Sequence, residues 1–244
     1  QEIISAKYGL DKPLFQRYAL YMKNLVTKGD FGESIIYTGK TANDVIKENT
    51  MVSAKIGLIA LVFQVSIGLS LGLVSALKRG KAADHVIRVL VVLAICVPSF
   101  VFAAVLQYFL AFKWKLVPVF GWGQWTNYVL PVAAYALGGI ASYTKYMRSS
   151  TLGVIGEDYI VTAKAKGCTS RRTLRKHVLR NSLIPIVTMV GPALSGIFAG
   201  SFVIEKMFAI PGLGFYYVKA VSDNDYTMII GLTIFFAMLF VGAL

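Results

Sequence analysis

The chain has 244 residues, 56% of them hydrophobic and only 15% charged, with a net charge of +13. That balance excludes an ordinary soluble globular domain and leaves room for several membrane-spanning helices of roughly 20 residues each. The two cysteines, Cys96 in an apolar run and Cys168 in a basic loop, suggest neither a disulfide framework nor a metal cluster and read as small buried hydrophobes.

In chain order, residues 1–55 read as an outer helical segment leading into the membrane. Asp11-Lys12-Pro13 opens a helical apolar stripe of Leu14, Phe15, Tyr18, Tyr21, Met22, Leu25 and Val26, and Gly29 stops it. Thr41 and Asp44 have the spacing of a capping box, with aspartate in place of glutamate, and open a helix that runs into the first span. Residues 56–244 read as the transmembrane unit. Five runs in it lack Asp, Glu, Lys and Arg over a membrane-crossing length: 56–77, 89–112, 128–144, 181–204 and 226–244. The third is expected to continue helically to Ser150. Pro98, Pro131, Pro185 and Pro192 fall inside these runs, where spanning helices tolerate them. Gly68-x-x-x-Gly72 and Gly196-x-x-x-Gly200 are spacings for close helix approach, or simply the ordinary composition of membrane helices.

Between the third and fourth runs, residues 145–180 carry nine of the 25 basic residues. The stretch from Tyr159 to Gly167 is rich in small residues, and a basic run from Arg171 to Arg180 follows. It reads as two short helices with Gly167 at their junction, which is too regular for a slack tether and suits a platform for a soluble partner. Residues 78–88 add four basic residues and one acidic, and these two loops together hold +10 of the net charge. The positive-inside rule places both in the cytoplasm, with Trp114, Trp122, Trp125 and Tyr128 as an outer aromatic belt. Membrane topology thus accounts for the positive charge, and no nucleic-acid partner is implied. Gln1 is not an initiator, and residues 228–244 stay apolar to the end. A longer chain with one more span before Gln1 is therefore expected.

Several chemistries are missing. No Gly-x-x-x-x-Gly-Lys-[Ser/Thr] loop cradles a phosphate. The five runs hold no ionisable Asp, Glu, Lys, Arg or His of the kind that proton- and ion-coupled carriers use at mid-membrane. Their polar residues are neutral, among them Gln64, Ser66, Ser70, Gln107, Ser142, Thr188, Ser195 and Ser201. Gly68-Leu69-Ser70-Leu71-Gly72 matches the nucleophile-elbow pattern, yet it sits in an apolar run. His85 and His177 both fall in loops, away from any such serine, and read as surface residues.

The stretch Tyr159–Gly167 with Arg171-Arg172, His177, Arg180-Asn181 and Leu183-Ile184-Pro185 resembles the cytoplasmic signature loop of binding-protein-dependent ABC importer permeases, closest to the dipeptide/oligopeptide/nickel group. Gly29-Asp30-Phe31-Gly32-Glu33-Ser34, Pro98-Ser99-Phe100, Leu130-Pro131, the stretch from Glu205 to Gly214 and Asp225-Tyr226 extend the resemblance in order along the chain. It implies an all-α polytopic fold of the type I importer permease kind, with six spans in the full chain. It also implies uptake of oligopeptides or dipeptides driven by ATP, with nickel or another small solute as the alternative. The implied partners are a second permease, two cytoplasmic ATPases that carry ATP and Mg, an extracellular or periplasmic receptor, peptide and membrane lipid. The chain itself would hold no catalytic residue, metal or cofactor, and would sit in a bacterial cytoplasmic membrane. A stand-alone secondary carrier or channel is the competing class.

Residue by residue, the resemblance assigns ATPase coupling to Glu157, Asp158, Thr162, Ala163 and Ala165, continuing through Lys166 and Gly167 to Arg171 and Arg172. Aligned on Gly167, the family pattern Glu-Ala-Ala-x-x-x-Gly has Val161 at its glutamate, so Glu157 is the candidate in its place. Small residues at Ala163 and Ala165 leave a helix face flat enough to seat in a cleft. Arg171, Arg172, Arg175 and Lys176 could face acidic partner groups or lipid headgroups. Glu205, Phe208, Pro211, Gly212 and Gly214 form an outer gate or receptor contact, or else a tight structural turn.

Overall fold

The computed structural model describes residues 13–242; residues 1–12, with Gln1, Asp11 and Lys12, and 243–244, together with the side chains of Lys164, Ser195, Phe198 and Ala199, lie outside the described residues. Helix α1, Leu14–Lys28, ends where Gly29 turns left-handed at φ 63°. No residue of α1 is buried, so its apolar stripe is not packed into this chain's core. The capping box forms as expected: the Thr41 hydroxyl accepts from the Asp44 N–H at 3.1 Å, and the Asp44 carboxylate accepts from the Thr41 N–H at 3.1 Å. With those donors satisfied, α2 runs unbroken over Ala42–Leu77. Its 36 residues extend about 54 Å, well past a hydrocarbon layer of about 30 Å.

The second apolar run departs from the expected single span. It folds as α3, Ala82–Cys96, and α4, Ser99–Lys113, whose axes meet at 99°. Pro98 is the cause, because it has no N–H to continue the ladder and its ring holds Val97 extended at φ −83°, ψ 117°. The third run forms α5, Thr126–Ile155, which passes the expected end at Ser150. Then come α6, Asp158–Ala165, and α7, Ser170–Thr173. A wider π-type turn over Leu174–Leu179 leads into α8, Arg180–Ala199. The fourth run was expected to stay helical to residue 204, but Gly200 at φ 79°, ψ 173° ends it. Three helices follow: α9, Phe202–Met207, α10, Leu213–Ser222, and α11, Tyr226–Gly242.

Among the described residues, α2 alone is long and apolar enough to cross a membrane unbroken. Helices α3 and α4 supply a second crossing if taken as one bent span, and α11 is apolar but shorter. The expected α5 span is less apolar because it is the central helix, shielded by its neighbours, with Leu130, Ala134, Ala141 and Met147 all buried.

Helices α2 and α5 pack most closely. Gln64 fills the space beside Gly139, Gly68 lies against Tyr143, and Gly72 against Met147. Both series climb together in steps of four, so the two helices run parallel along their i±4 ridges. A Cβ on Gly68 would stand 2.6 Å from the Tyr143 Cβ, and one on Gly72 2.6 Å from the Thr144 carbonyl oxygen. Gly68-x-x-x-Gly72 is therefore a true close-approach pair. Gly196 has no such role, since nothing lies within 4 Å of its added Cβ. Gly57, packed on Ile197, makes the approach to α8 instead. Helix α8 runs antiparallel to α5: the Ser150 hydroxyl donates to the Ser182 carbonyl at 2.9 Å, and the Tyr135 hydroxyl to the Gly196 carbonyl at 3.5 Å.

Loops that the charge count puts on one side touch each other. Asp84 meets Arg148 at one end, whereas at the other the Gly121 N–H donates to the Phe208 carbonyl at 3.3 Å and the Ser34 hydroxyl donates to Asp225. Trp114 and Trp125 are exposed, as an interfacial belt requires. Ser70 donates to the Ser66 carbonyl at 2.7 Å inside an unbroken helix, so the elbow pattern makes no elbow. The reading of both cysteines as buried is corrected. Cys96 is exposed where Pro98 breaks the helix, and Cys168 is half-buried just past Gly167.

Candidate functional site

The basic loop breaks at Gly167 as expected, but only α6 is a separate short helix: α7 continues without interruption through the π-type turn into α8. Helix α6 ends with the Cys168 N–H donating to the Ala163 carbonyl at 3.1 Å and Gly167 at φ 79°, the six-to-one closure that favours glycine. Thr169 then caps α7, its hydroxyl accepting from the Arg172 N–H at 3.4 Å. Only two residues, Cys168 and Thr169, separate Gly167 from α7, so the chain turns sharply there. Ile160, Ala163, Thr173 and Val178 point inward and anchor the platform. Tyr159 receives a 2.8 Å hydrogen bond on its hydroxyl from the Asn181 amide, tying α6 to the start of α8.

The residues assigned to coupling are distributed accordingly. Asp158, Thr162, Ala165, Lys166, Gly167, Arg171 and Arg172 are exposed, and Ala163 is buried. Glu157 is exposed in the turn ahead of α6, its carbonyl accepting from the Ile160 N–H, while Val161 is 61% exposed on the helix. Glu157 and Val161 thus lie on different elements. The outward face carries Thr162, Ala165, Lys166, Arg171 and Arg172 beside the acids Glu157 and Asp158. The expectation that Ala163 shares a flat exposed face with Ala165 is corrected, because Ala163 turns inward.

The residues from Glu205 to Gly214 take a different place. Glu205 and Phe208 are 1% and 2% exposed, Gly212 and Gly214 are buried, and Pro211 is half-buried. As folded here, these residues present little surface to a receptor and build a turn from the inside. Glu205 stands at the centre. Its carboxylate accepts from the Phe215 N–H at 3.1 Å in the first turn of α10, where the helix dipole favours an anion. Ser53 of α2 accepts from the Leu213 N–H at 2.8 Å beside it. Added Cβ atoms on Gly200, Gly212 and Gly214 would all run into Glu205. The glycines are spaced to admit a carboxylate. Burial pushes the Glu205 carboxyl up to about 7, against the hydrogen bonds from Ser53 and the Phe215 and Gly214 N–H groups.

Sequence reasoning missed two members of this site, Ser53 and Gly200. Ser53 lies in α2 ahead of the apolar run, one turn from another buried polar residue, Asn49, and only that pairing could have flagged it. Gln107 was read as a neutral polar residue in a span. Its amide donates to the Val119 and Met207 carbonyls, each at 3.3 Å, fastening the outer loops to each other.

Residues 68–244 match the family model described as binding-protein-dependent transport system inner membrane component. Over 241 residues the chain is 40% identical to the dipeptide transport system permease protein DppB of Bacillus subtilis (strain 168), covering 99% of this chain and 78% of that protein. It is 40% identical over 233 residues to the oligopeptide transport system permease protein OppB of Haemophilus influenzae, covering 95% and 76%. A crystal structure of an amino acid ABC transporter with histidines matches with a TM-score of 0.59 over 82% of this chain and 90% of that one. Its 15% identity makes this a likeness of fold. Together with its all-α architecture, these matches establish that the chain belongs to the binding-protein-dependent transport system inner membrane components, a family of membrane-embedded transport subunits.

Proposed function

We propose that this chain is a permease subunit of an ATP-driven importer of dipeptides or oligopeptides in a bacterial cytoplasmic membrane. Of two partner ATPases one docks on the α6–α7 platform and the other on a second permease that completes the pathway, and an extracellular or periplasmic receptor delivers the peptide. ATP and Mg stay on the ATPases. The observation that carries this reading is the exposed basic platform, hinged at Gly167 and tied to the start of α8 by the Asn181–Tyr159 hydrogen bond. A pathway with neutral polar groups suits a bulky solute of varied chemistry. The peptide assignment draws on the relatives' names. Closure of the ATPase dimer would move the platform and shift α5 and α8 between outward- and inward-open arrangements.

Gly167→Val tests the coupling. An added Cβ meets nothing within 4 Å, so the substitution acts through its left-handed backbone, a strain of about 1–3 kcal/mol. In liposomes carrying the complete complex, ATP hydrolysis should persist while peptide uptake per ATP falls about tenfold. Uptake at the wild-type ratio would remove Gly167 from the coupling path, and uptake driven by a gradient without ATP would point to a secondary carrier.

A further inference from the structure

The cytoplasmic end of the bundle holds a charged cluster that the platform itself does not use. Asp84 is 1% exposed at the first turn of α3 and accepts two bonds from the Arg148 guanidinium of α5, Nε to Oδ1 at 2.9 Å and Nη2 to Oδ2 at 3.1 Å. The Ser75 hydroxyl near the end of α2 donates to the same carboxylate at 2.6 Å and accepts from the Arg148 Nε at 3.1 Å. The Gly80 N–H adds a bond at 3.0 Å, and Arg88 stands 3.5 Å away on the other side. One carboxylate therefore joins three helices, and the fork geometry fixes their angle as well as their separation. Hydrogen bonds from Arg148, Ser75 and Gly80 hold the Asp84 carboxyl well below the usual carboxylate range, so the cluster keeps its charge across neutral pH.

Its position along α5 gives the cluster a mechanical meaning. Arg148 lies two turns before α5 ends at Ile155, and α6 begins at Asp158. A displacement of the platform reaches the bundle through this end of α5 as well as through the start of α8. Gly72, one turn from Ser75, already locks α2 against Met147 and Thr144. We propose that Arg148 and Asp84 are positioning residues for coupling: they clamp α2, α3 and α5 into one rigid lever, which the docked ATPase turns through the α6–α7 platform. This rests on the importer reading above. The clamp adds that α2 and α3 are carried with α5 rather than sliding past it.

The test uses the complete complex in liposomes, with Arg148→Gln, Arg148→Lys and Asp84→Asn each compared with wild type. The readout is peptide taken up per ATP hydrolysed, measured only on complexes that assemble, so a lower yield of folded protein does not move it. Arg148→Gln and Asp84→Asn are expected to lower that ratio about tenfold. Arg148→Lys keeps the charge but loses the fork, and should fall between them and wild type. A wild-type ratio in the assembled variants overturns the proposal. So does failure of every variant to assemble, which would make the cluster a folding element. ATP-independent uptake by the wild-type complex would instead overturn the importer reading, and the lever with it.

Discussion

Gly212→Ala should destabilise the outer end of the protein far more than a single methyl group usually does. The new Cβ would run into the Glu205 carboxylate and stand 2.5 Å from the Ser53 hydroxyl. Neither group has room to retreat. Glu205 is enclosed by Gly200 and Gly214 as well, and Ser53 is bound to the Leu213 N–H. Overpacking of this kind costs about 1–3 kcal/mol, and separating Glu205 from the Phe215 N–H adds about 1–3 kcal/mol. Shortening the acid removes the collision with Glu205 and leaves only the one with Ser53. Glu205→Ala alone should also be destabilising, because it strands the α10 donors. The double variant Gly212→Ala, Glu205→Ala should nevertheless melt well above the sum of the two losses, with a coupling of about 1–3 kcal/mol. Thermal melting of the purified protein measures all three. Additivity within about 0.5 kcal/mol would mean that the glycines are not there to admit the carboxylate.

Gly72→Val is expected to prevent a native bundle from forming at all. Its Cβ would meet the Thr144 carbonyl at 2.6 Å, the Met147 Cβ at 2.7 Å and the Arg148 N–H nitrogen at 3.0 Å. Two of those three atoms are α5 backbone, which cannot rotate aside, so α2 and α5 must separate along their shared ridge. The loss should exceed about 3 kcal/mol and appear as absence of assembled protein by size-exclusion chromatography. Gly196→Ala is the matching control. That helical glycine faces open space, and alanine should change stability by less than about 1 kcal/mol, toward greater stability. Equal damage from both substitutions would contradict the packing described.

The contrast between those two glycine pairs marks the limit of what the sequence makes legible. Both have the same four-residue spacing, and spacing states only that two small residues share a helix face. Whether a neighbour lies on that face is a tertiary fact, and for Gly196 none does. Local signals read well by comparison. The capping box at Thr41, the glycine stop at Gly29 and the helix break at Gly167 each depend on residues within one or two turns. Pro98 was visible too, yet membrane helices tolerate proline, and the 99° break follows only from how Val97 is held. Glu205 shows the opposite failure. An acidic residue just outside an apolar run reads as surface, because burial of a carboxylate needs partners, and Ser53 lies 152 positions away in the chain. The Asp84–Arg148 clamp was hidden for the same reason, since basic residues in a cytoplasmic loop are explained by topology before any pairing is considered.

The claim that a motor docks from the cytosol at the Gly167 elbow is tested most directly by the reactivity of Cys168, the half-buried thiol beside it. With Cys96 replaced by alanine, a membrane-impermeant maleimide should label Cys168 in inverted vesicles and not in right-side-out ones. Rebinding the ATPases should protect it. Labelling of Cys168 from the external face would place the platform on the wrong side of the membrane and contradict the account.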